Sequence, residues 1–330
     1  MKQRVPFFRG LITIALGAVI ASGALAQAST EPLEEVHAAL NAGAADKALS
    51  LISSLPNAGE GNARAQNLAC RVEFAMGQWD AAVRDCQQAV QLEPGNSEYH
   101  MWLGRALGEK ASNANFFSAY SLGKRVLTEF QTATRLDPRN ASALADLGSY
   151  YVEAPSIVGG GLDKAESVAK ELDRADPARA AQLRASIAMA QGDYGTAEAQ
   201  LKKAIAVSPH PAFQWTALAR FYQKRKQWAA MDWALRSCLN AAEHDPQAGV
   251  PLYDAAGVLI LAKREPELAI QFLQKYLASS AKTDEAPAFV AYWRLARLQK
   301  QVGDSAGAKA SEVAGYELAR EYNPAQDMRR

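Results

Sequence analysis

Four histidines, His37, His100, His210 and His244, are the first residues to weigh as catalysts or metal ligands, and none stands in a spacing that suits either role. A zinc-hydrolase helix places two histidines one turn apart with a glutamate beside the first, and no such H-E-x-x-H run occurs. No G-x-S-x-G elbow exposes a serine. No cysteine has a histidine beside it in sequence to draw off its proton. Aspartate and glutamate are dispersed along helical faces, where solvated charge is the ordinary role. Three glycines, Gly159, Gly160 and Gly161, directly precede Leu162-Asp163-Lys164-Ala165. A glycine run that opens a helix bares N–H groups at its positive end and can hold a phosphate or carboxylate. The lysine spacing of a nucleotide-binding loop is missing and no strand precedes it. The alternative is a flexible turn with Asp163 capping the helix that follows. These residues point away from an enzyme, and no cofactor or metal is expected.

The bulk properties agree. The chain has 330 residues, 49% hydrophobic and 22% charged, which is a globular composition. Lys and Arg number 36 against 35 Asp and Glu, so no overall field favours nucleic acid. Lys2, Arg4 and Arg9 precede a short apolar stretch at 11–20 and then small residues through Ala28, the pattern of a secretory leader over 1–28. The stretch is shorter than the roughly 20 residues of a spanning helix. No transmembrane segment is expected in the mature chain. The protein is therefore expected to be exported, and periplasmic if its source is a Gram-negative bacterium. Cys70, Cys86 and Cys238 are an odd count, which leaves at least one thiol over.

The elements that position these residues repeat. From 63 to 96 a helical stretch, a break at Gly77-Gln78-Trp79, a second helical stretch and Pro94 make one unit. Gly192, Asp193, Tyr194, Ala197, Leu201, Ala204 and Pro209 stand at the same offsets 115 residues later. Leu103-Gly104, Leu144 with Leu147-Gly148, and Trp215 with Leu218, Ala219 and Tyr222 supply the first-helix pattern of three other units. Small residues let paired helices approach closely, while larger ones fill the space between successive pairs. Strand patterns are essentially absent.

This pattern resembles the tetratricopeptide-repeat superfamily over everything after the leader. The resemblance implies an all-α fold, a right-handed superhelical solenoid of about eight antiparallel helix pairs filling 29–330. The approximate repeats are 31–59, 63–96, 97–140, 141–177, 178–211, 212–247, 250–285 and 286–324. An extended final helix over 306–322 is expected to cover the last interface. Two units exceed the period. The unit at 97–140 carries about ten extra residues around Phe116 and Phe117, read either as a lengthened helix pair or as an apolar ledge for a partner. The next carries the Gly159 loop. Its run from Ala154-Pro155 through Gly160-Gly161 to Lys164-Ala165 is similar to a linker of the microtubule-dynamics regulator branch and its bacterial relatives.

In this superfamily the first helix of each pair lines a concave groove through its second, fifth, ninth and twelfth places. The resemblance therefore puts Arg71, Arg105, Arg220 and Arg297 at ninth places, with Asn67 beside Arg71. Phe74, Met101, Met189, Phe213 and Trp293 also fall at groove places. Inward arginines can take carboxylates bidentately, or can simply pair with neighbouring acids at the rim. Likeness to a carboxylate clamp is incomplete, because Ser149 and Ser186 interrupt the arginine series. Cys70 and Cys86 fall on facing helices of one pair, where they form either a disulfide or two small core contacts. Cys238 reads as a buried thiol.

The expected function is a non-enzymatic scaffold that binds a protein or peptide partner in its groove. The alternative is a periplasmic carrier of a lipid or other small amphipathic ligand.

Overall fold

The structure, a computed structural model, describes residues 32–325, apart from the side chains of Asn57 and Ala58. The proposed leader lies outside the described residues. Sixteen α-helices and two short 3-10 turns make up the described residues, with no strand among them. Successive helices pair as α1 (32–41) with α2 (Ala45–Ser53), α3 (Ala63–Ala75) with α4 (Trp79–Leu92), and α5 (Ser97–Ser112) with α6 (Phe116–Leu136). Then follow α7 (Ala141–Glu153) with α8 (Leu162–Ala175), α9 (Pro177–Gln191) with α10 (Tyr194–Val207), and α11 (Pro211–Lys224) with α12 (Trp228–Glu243). The last pairs are α13 (Gly249–Ala262) with α14 (Pro266–Ala278) and α15 (Ala288–Gln301) with α16 (Ser305–Leu318). No helix among the described residues is long and apolar enough to cross a membrane.

Side-chain caps set where several helices begin. Asn62 accepts from the Ala65 N–H, Asn96 from those of Glu98 and Tyr99, Asn140 from that of Ala143, and Asp193 from that of Thr196. Asp176 accepts from two N–H groups while Pro177 supplies the first helical residue, whose amide is not needed. Gly77, Gly192 and Gly303 end the first helices of three pairs with φ of 74°, 79° and 86°, a region that glycine enters without a Cβ penalty. Lys226 holds the same turn in the α11–α12 pair with φ of 55°.

Within pairs the small residues are contact points. Ala82, Ala133, Ala169, Ala204, Ala234, Ala269 and Ala308 are fully buried. A Cβ on Gly104 would stand 2.5 Å from the Phe130 ring, so α5 and α6 approach more closely than alanine permits. The extra residues at 97–140 do lengthen this pair, giving α6 its 21 residues. The chain's two ends also meet. A Cβ on Gly43, in the α1–α2 turn, would come within 2.5 Å of the Ala288 nitrogen, and the Arg320 N–H donates to Asp46. The apolar core containing Leu33, Val36 and Leu40 is continuous with the one containing Phe289 and Tyr322. The eight pairs thus curve until the first packs on the last.

One element differs from the sequence expectation. The final helix stops at Leu318 rather than running through 322, and the chain then turns so that Tyr322 meets Phe289 edge to face with ring centroids 4.8 Å apart. The turn buries the Tyr322 ring against α15.

Candidate functional site

Trp102, buried on α5, anchors the site. The guanidinium carbons of Arg71 on α3 and Arg105 on α5 lie 4.9 and 4.8 Å from its ring centroid, close enough for cation–π attraction. The Phe74 ring meets Trp102 edge-on at 5.6 Å. Both arginines are mostly buried, and each is held twice. Arg71 donates from Nη1 to Glu98 of the next pair at 3.1 Å, and Arg105 donates from Nε to Asp146 of the next pair at 2.6 Å. Each also binds the segment that joins α14 to α15. Arg71 makes a bidentate pair with Asp284, Nε to Oδ2 at 2.7 Å and Nη2 to Oδ1 at 3.0 Å, while Arg105 Nη1 donates to Glu285 at 3.0 Å.

Electrostatics follow from this burial. Desolvation works against charge on Arg71, but Asp284, Glu98 and Glu285 outweigh it and hold the guanidinium more firmly protonated than usual. The same balance raises Arg105, with Asp146 and Glu285 as its acids. Burial pushes the Asp146 carboxyl up, and Arg105 only partly offsets that. A cavity of about 320 Å³ adjoins the cluster, lined by Phe74, Trp102, Tyr253, Val290, Arg294 and Tyr322 among others. Its lining comes from the second, third, seventh and eighth pairs, so it lies inside the curve. Arg294 sits 4.5 Å from the Tyr253 ring centroid. A second cavity of about 580 Å³ shares Phe74 and Arg105 and extends past Asp146, Ser149 and Tyr150 to Pro155 and Val158.

The other sequence-derived groove residues divide. Arg220 is exposed and pairs with Asp254 of the next helix pair at 3.6 Å. With Arg71–Glu98 and Arg105–Asp146 this makes a recurring link, in which the ninth-place arginine of one pair holds an acid of the next. Arg297 is half-buried on α15. Asn67 is buried, with its Nδ2 lacking a hydrogen-bond partner. Met189 and Phe213 are half-buried and line neither cavity. Met101 is a core residue, packed in the same apolar cluster as Leu103 and Leu147, and is not in the groove. Trp293 is likewise turned from the groove, since its indole lies against Gly315 of α16 within its own pair.

The glycine loop does not expose its amides. The N–H of Gly159 donates to Ser156, that of Gly160 to Pro155 and that of Gly161 to Tyr151. A Cβ on Gly160 would fall 1.7 Å from the Ala154 carbonyl oxygen, so close backbone packing explains that glycine. Asp163 is not the cap of α8, because Gly161 occupies the cap position and Asp163 lies within the first turn. Phe116 and Phe117, at 75% and 83% exposed, stand edge to face on each other at the start of α6. Cys70 and Cys86 are joined by a disulfide across α3 and α4. Burial pushes the Cys238 thiol up to about 11, which leaves it protonated and unreactive. No group of three His, Cys, Asp or Glu among the described residues is arranged to hold a metal.

Sequence reasoning missed Asp284, Glu285, Asp146 and Tyr253. Asp254 falls at a fifth place and was open to the same register argument as Arg220. Asp284 and Glu285 lie between repeats, where the register assigns no face.

Paired helices stacked around an inner charged and aromatic surface define a helical-repeat scaffold. Residues 178–211 match the tetratricopeptide repeat family model. The chain is 26% identical over 292 residues to Superkiller complex protein 3 of Mus musculus, an alignment covering 76% of this chain and 18% of that one. The chain thus spans under a fifth of the length of that relative. Two crystal structures are similar: a thermophilic tetratricopeptide-repeat protein of Thermus thermophilus, and a tetratricopeptide repeat protein of Parabacteroides merdae. The first is 22% identical with a TM-score of 0.45, covering 55% of this chain and 91% of that one. The second is 15% identical with a TM-score of 0.46, covering 83% and 99%.

Proposed function

We propose that this protein is a non-enzymatic, exported repeat scaffold that binds a protein or peptide partner on its inner face, at the Arg71–Trp102–Arg105 cluster. The observation that carries this reading is the pair of buried guanidiniums packed on one indole and already making carboxylate contacts. Such a surface offers bidentate hydrogen bonds beside an apolar wall, the combination that holds an extended peptide by charge and side chain together. The Cys70–Cys86 bond supports export, because disulfides persist in oxidising compartments. The leader pattern at 1–28 supports it independently. In a Gram-negative source the protein acts in the periplasm.

Pull-down from a periplasmic extract tests the groove. The Arg71→Glu and Arg105→Glu double variant is expected to lose partners that wild type retains. Retention of every partner would remove the inner face from the account.

The cavity of about 320 Å³ favours a second reading, a carrier of a lipid or other small amphipathic ligand. Native mass spectrometry after gentle purification decides between them. A co-purifying small molecule would favour the carrier, and an unliganded mass the scaffold.

A further inference from the structure

The segment between α14 and α15 reaches across the curve to the far side of the solenoid and places two successive carboxylates on the two inner arginines. We propose that this segment is a displaceable internal ligand: Asp284 and Glu285 occupy the Arg71–Trp102–Arg105 site until an acidic segment of a partner protein takes their place. The inference rests on the inner-face reading above and adds both the chemistry of the ligand and the control of access to it.

Three observations support exchange over a purely structural pair. Each arginine has an anchor that does not come from the segment. Glu98 still holds Arg71 and Asp146 still holds Arg105 when the segment leaves, and Trp102 supports both guanidiniums. What becomes free is one two-donor edge of Arg71 and one Nη1 of Arg105, a preorganised receptor for adjacent carboxylates. The segment's own seat is imperfect as well. Thr283 Oγ1 is buried with no hydrogen-bond partner, and Glu285 is the half-exposed member of the pair, where an incoming carboxylate can begin to compete. Finally, the cavity beside the carboxylates is walled by Trp102, Tyr253, Val290 and Tyr322, which gives an apolar side chain flanking a partner's acidic pair a place to go.

A tethered occupant acts at an effective concentration in the millimolar range, so it weakens any free competitor. The probe is a fluorescein-labelled peptide Lys-Thr-Asp-Glu-Ala-Pro, matching residues 282–287, with Lys-Thr-Asn-Gln-Ala-Pro as its uncharged control. Binding is read by anisotropy to wild type, to Glu285→Gln, and to the Asp284→Asn, Glu285→Gln double variant, with circular dichroism confirming the helical fold of each. The expected result is about tenfold tighter binding of the acidic peptide by the double variant than by wild type, an intermediate gain for Glu285→Gln, and no gain for the control. Adding Arg105→Gln to the double variant is expected to abolish the gain. Equal affinity for all the proteins, or no binding by any, overturns the internal ligand. Should the double variant fail to fold, Glu285→Gln alone decides, because its side chain is half-exposed and the change keeps its shape. If the peptide result is negative while Arg71→Glu with Arg105→Glu still loses the cellular partners, the inner-face reading stands and only the internal ligand falls. If the peptide binds as expected while the partners are retained, the acidic-ligand site exists but cellular partners bind elsewhere, and both the inner-face reading and displacement by a partner fall.

Discussion

Arg71 and Asp284 are 213 residues apart in sequence and share two hydrogen bonds of 2.7 and 3.0 Å. In a solenoid each pair packs mainly on its neighbours, so a contact of this span requires the stack to return on itself. Gly43 against Ala288 and Asp46 against Arg320 record the same return at the rim. A groove open at both ends becomes a partly enclosed interior, and the acidic segment becomes part of its wall.

The Cys70–Cys86 bond ties α3 to α4 at the residue before Arg71, with a sequence separation of 16. Both sulfurs are buried. Replacing the two cysteines with alanine should lower stability by about 3 kcal/mol, the value for a loop of this length. Thermal melts with and without dithiothreitol check this, and an unchanged midpoint would show that the bond constrains little.

Glu73 lies on the same helix, and burial together with Asp85 pushes its carboxyl up to about 8, against the pull of Arg84. Its ordinary value is 4.5, so the unfolded chain gives up this proton long before the folded one does. The stabilising contribution is complete below pH 4.5 and is lost as pH rises through about 8. Glu73→Gln should leave stability at pH 4 nearly unchanged and raise it at pH 8.5 by roughly 2–4 kcal/mol, since the buried carboxylate is then ionised beside Asp85. Urea titrations at the two pH values measure the difference.

Lys226 adopts a left-handed backbone in the turn that Gly192 fills in the preceding pair. A Cβ on Gly192 would meet nothing within 4 Å, so backbone preference alone distinguishes the two positions. Lys226→Gly should stabilise by about 0.5–1 kcal/mol and Gly192→Ala should destabilise by a similar amount. Opposite signs in parallel denaturation curves are the expected outcome, and a shared sign would show that side-chain contacts dominate.

Much of this was legible in the sequence where spacing carries the physics. Gly77, Gly192 and Gly303 mark the turns because left-handed backbone selects glycine, and the buried alanines mark the helix contacts because nothing larger fits. The ninth-place arginines came from the family register, which gave their helix positions but not the acids that hold Arg71 and Arg105. An idealised register ignores how far a long side chain can turn, and Trp293 turns back onto Gly315 of its own pair while Met101 joins the core. The partners of Arg71 and Arg105 were not legible at all. Asp284 and Glu285 come from a connection between repeats, and what brings them across is the accumulated curvature of eight pairs, which no local pattern encodes.

Gly249 opens α13, and a Cβ there would fall 1.9 Å from the carbonyl oxygen of Ala281 in the acidic segment. Gly249→Ala must therefore displace that backbone. The expected result is faster amide hydrogen exchange over 280–286 with exchange in α3 and α4 unchanged. Uniform acceleration throughout the chain would instead indicate global destabilisation.

The most direct test of the inner face as the partner surface is site-specific photo-crosslinking in the native cell. A photoreactive residue at Ser149, which lines the cavity shared with Arg105, is compared with one at exposed Lys170 on the second helix of the same pair. The account predicts a discrete crosslinked species from Ser149 that Arg105→Glu removes, and none from Lys170. Crosslinking from Lys170 alone, or from Ser149 regardless of Arg105, would contradict it.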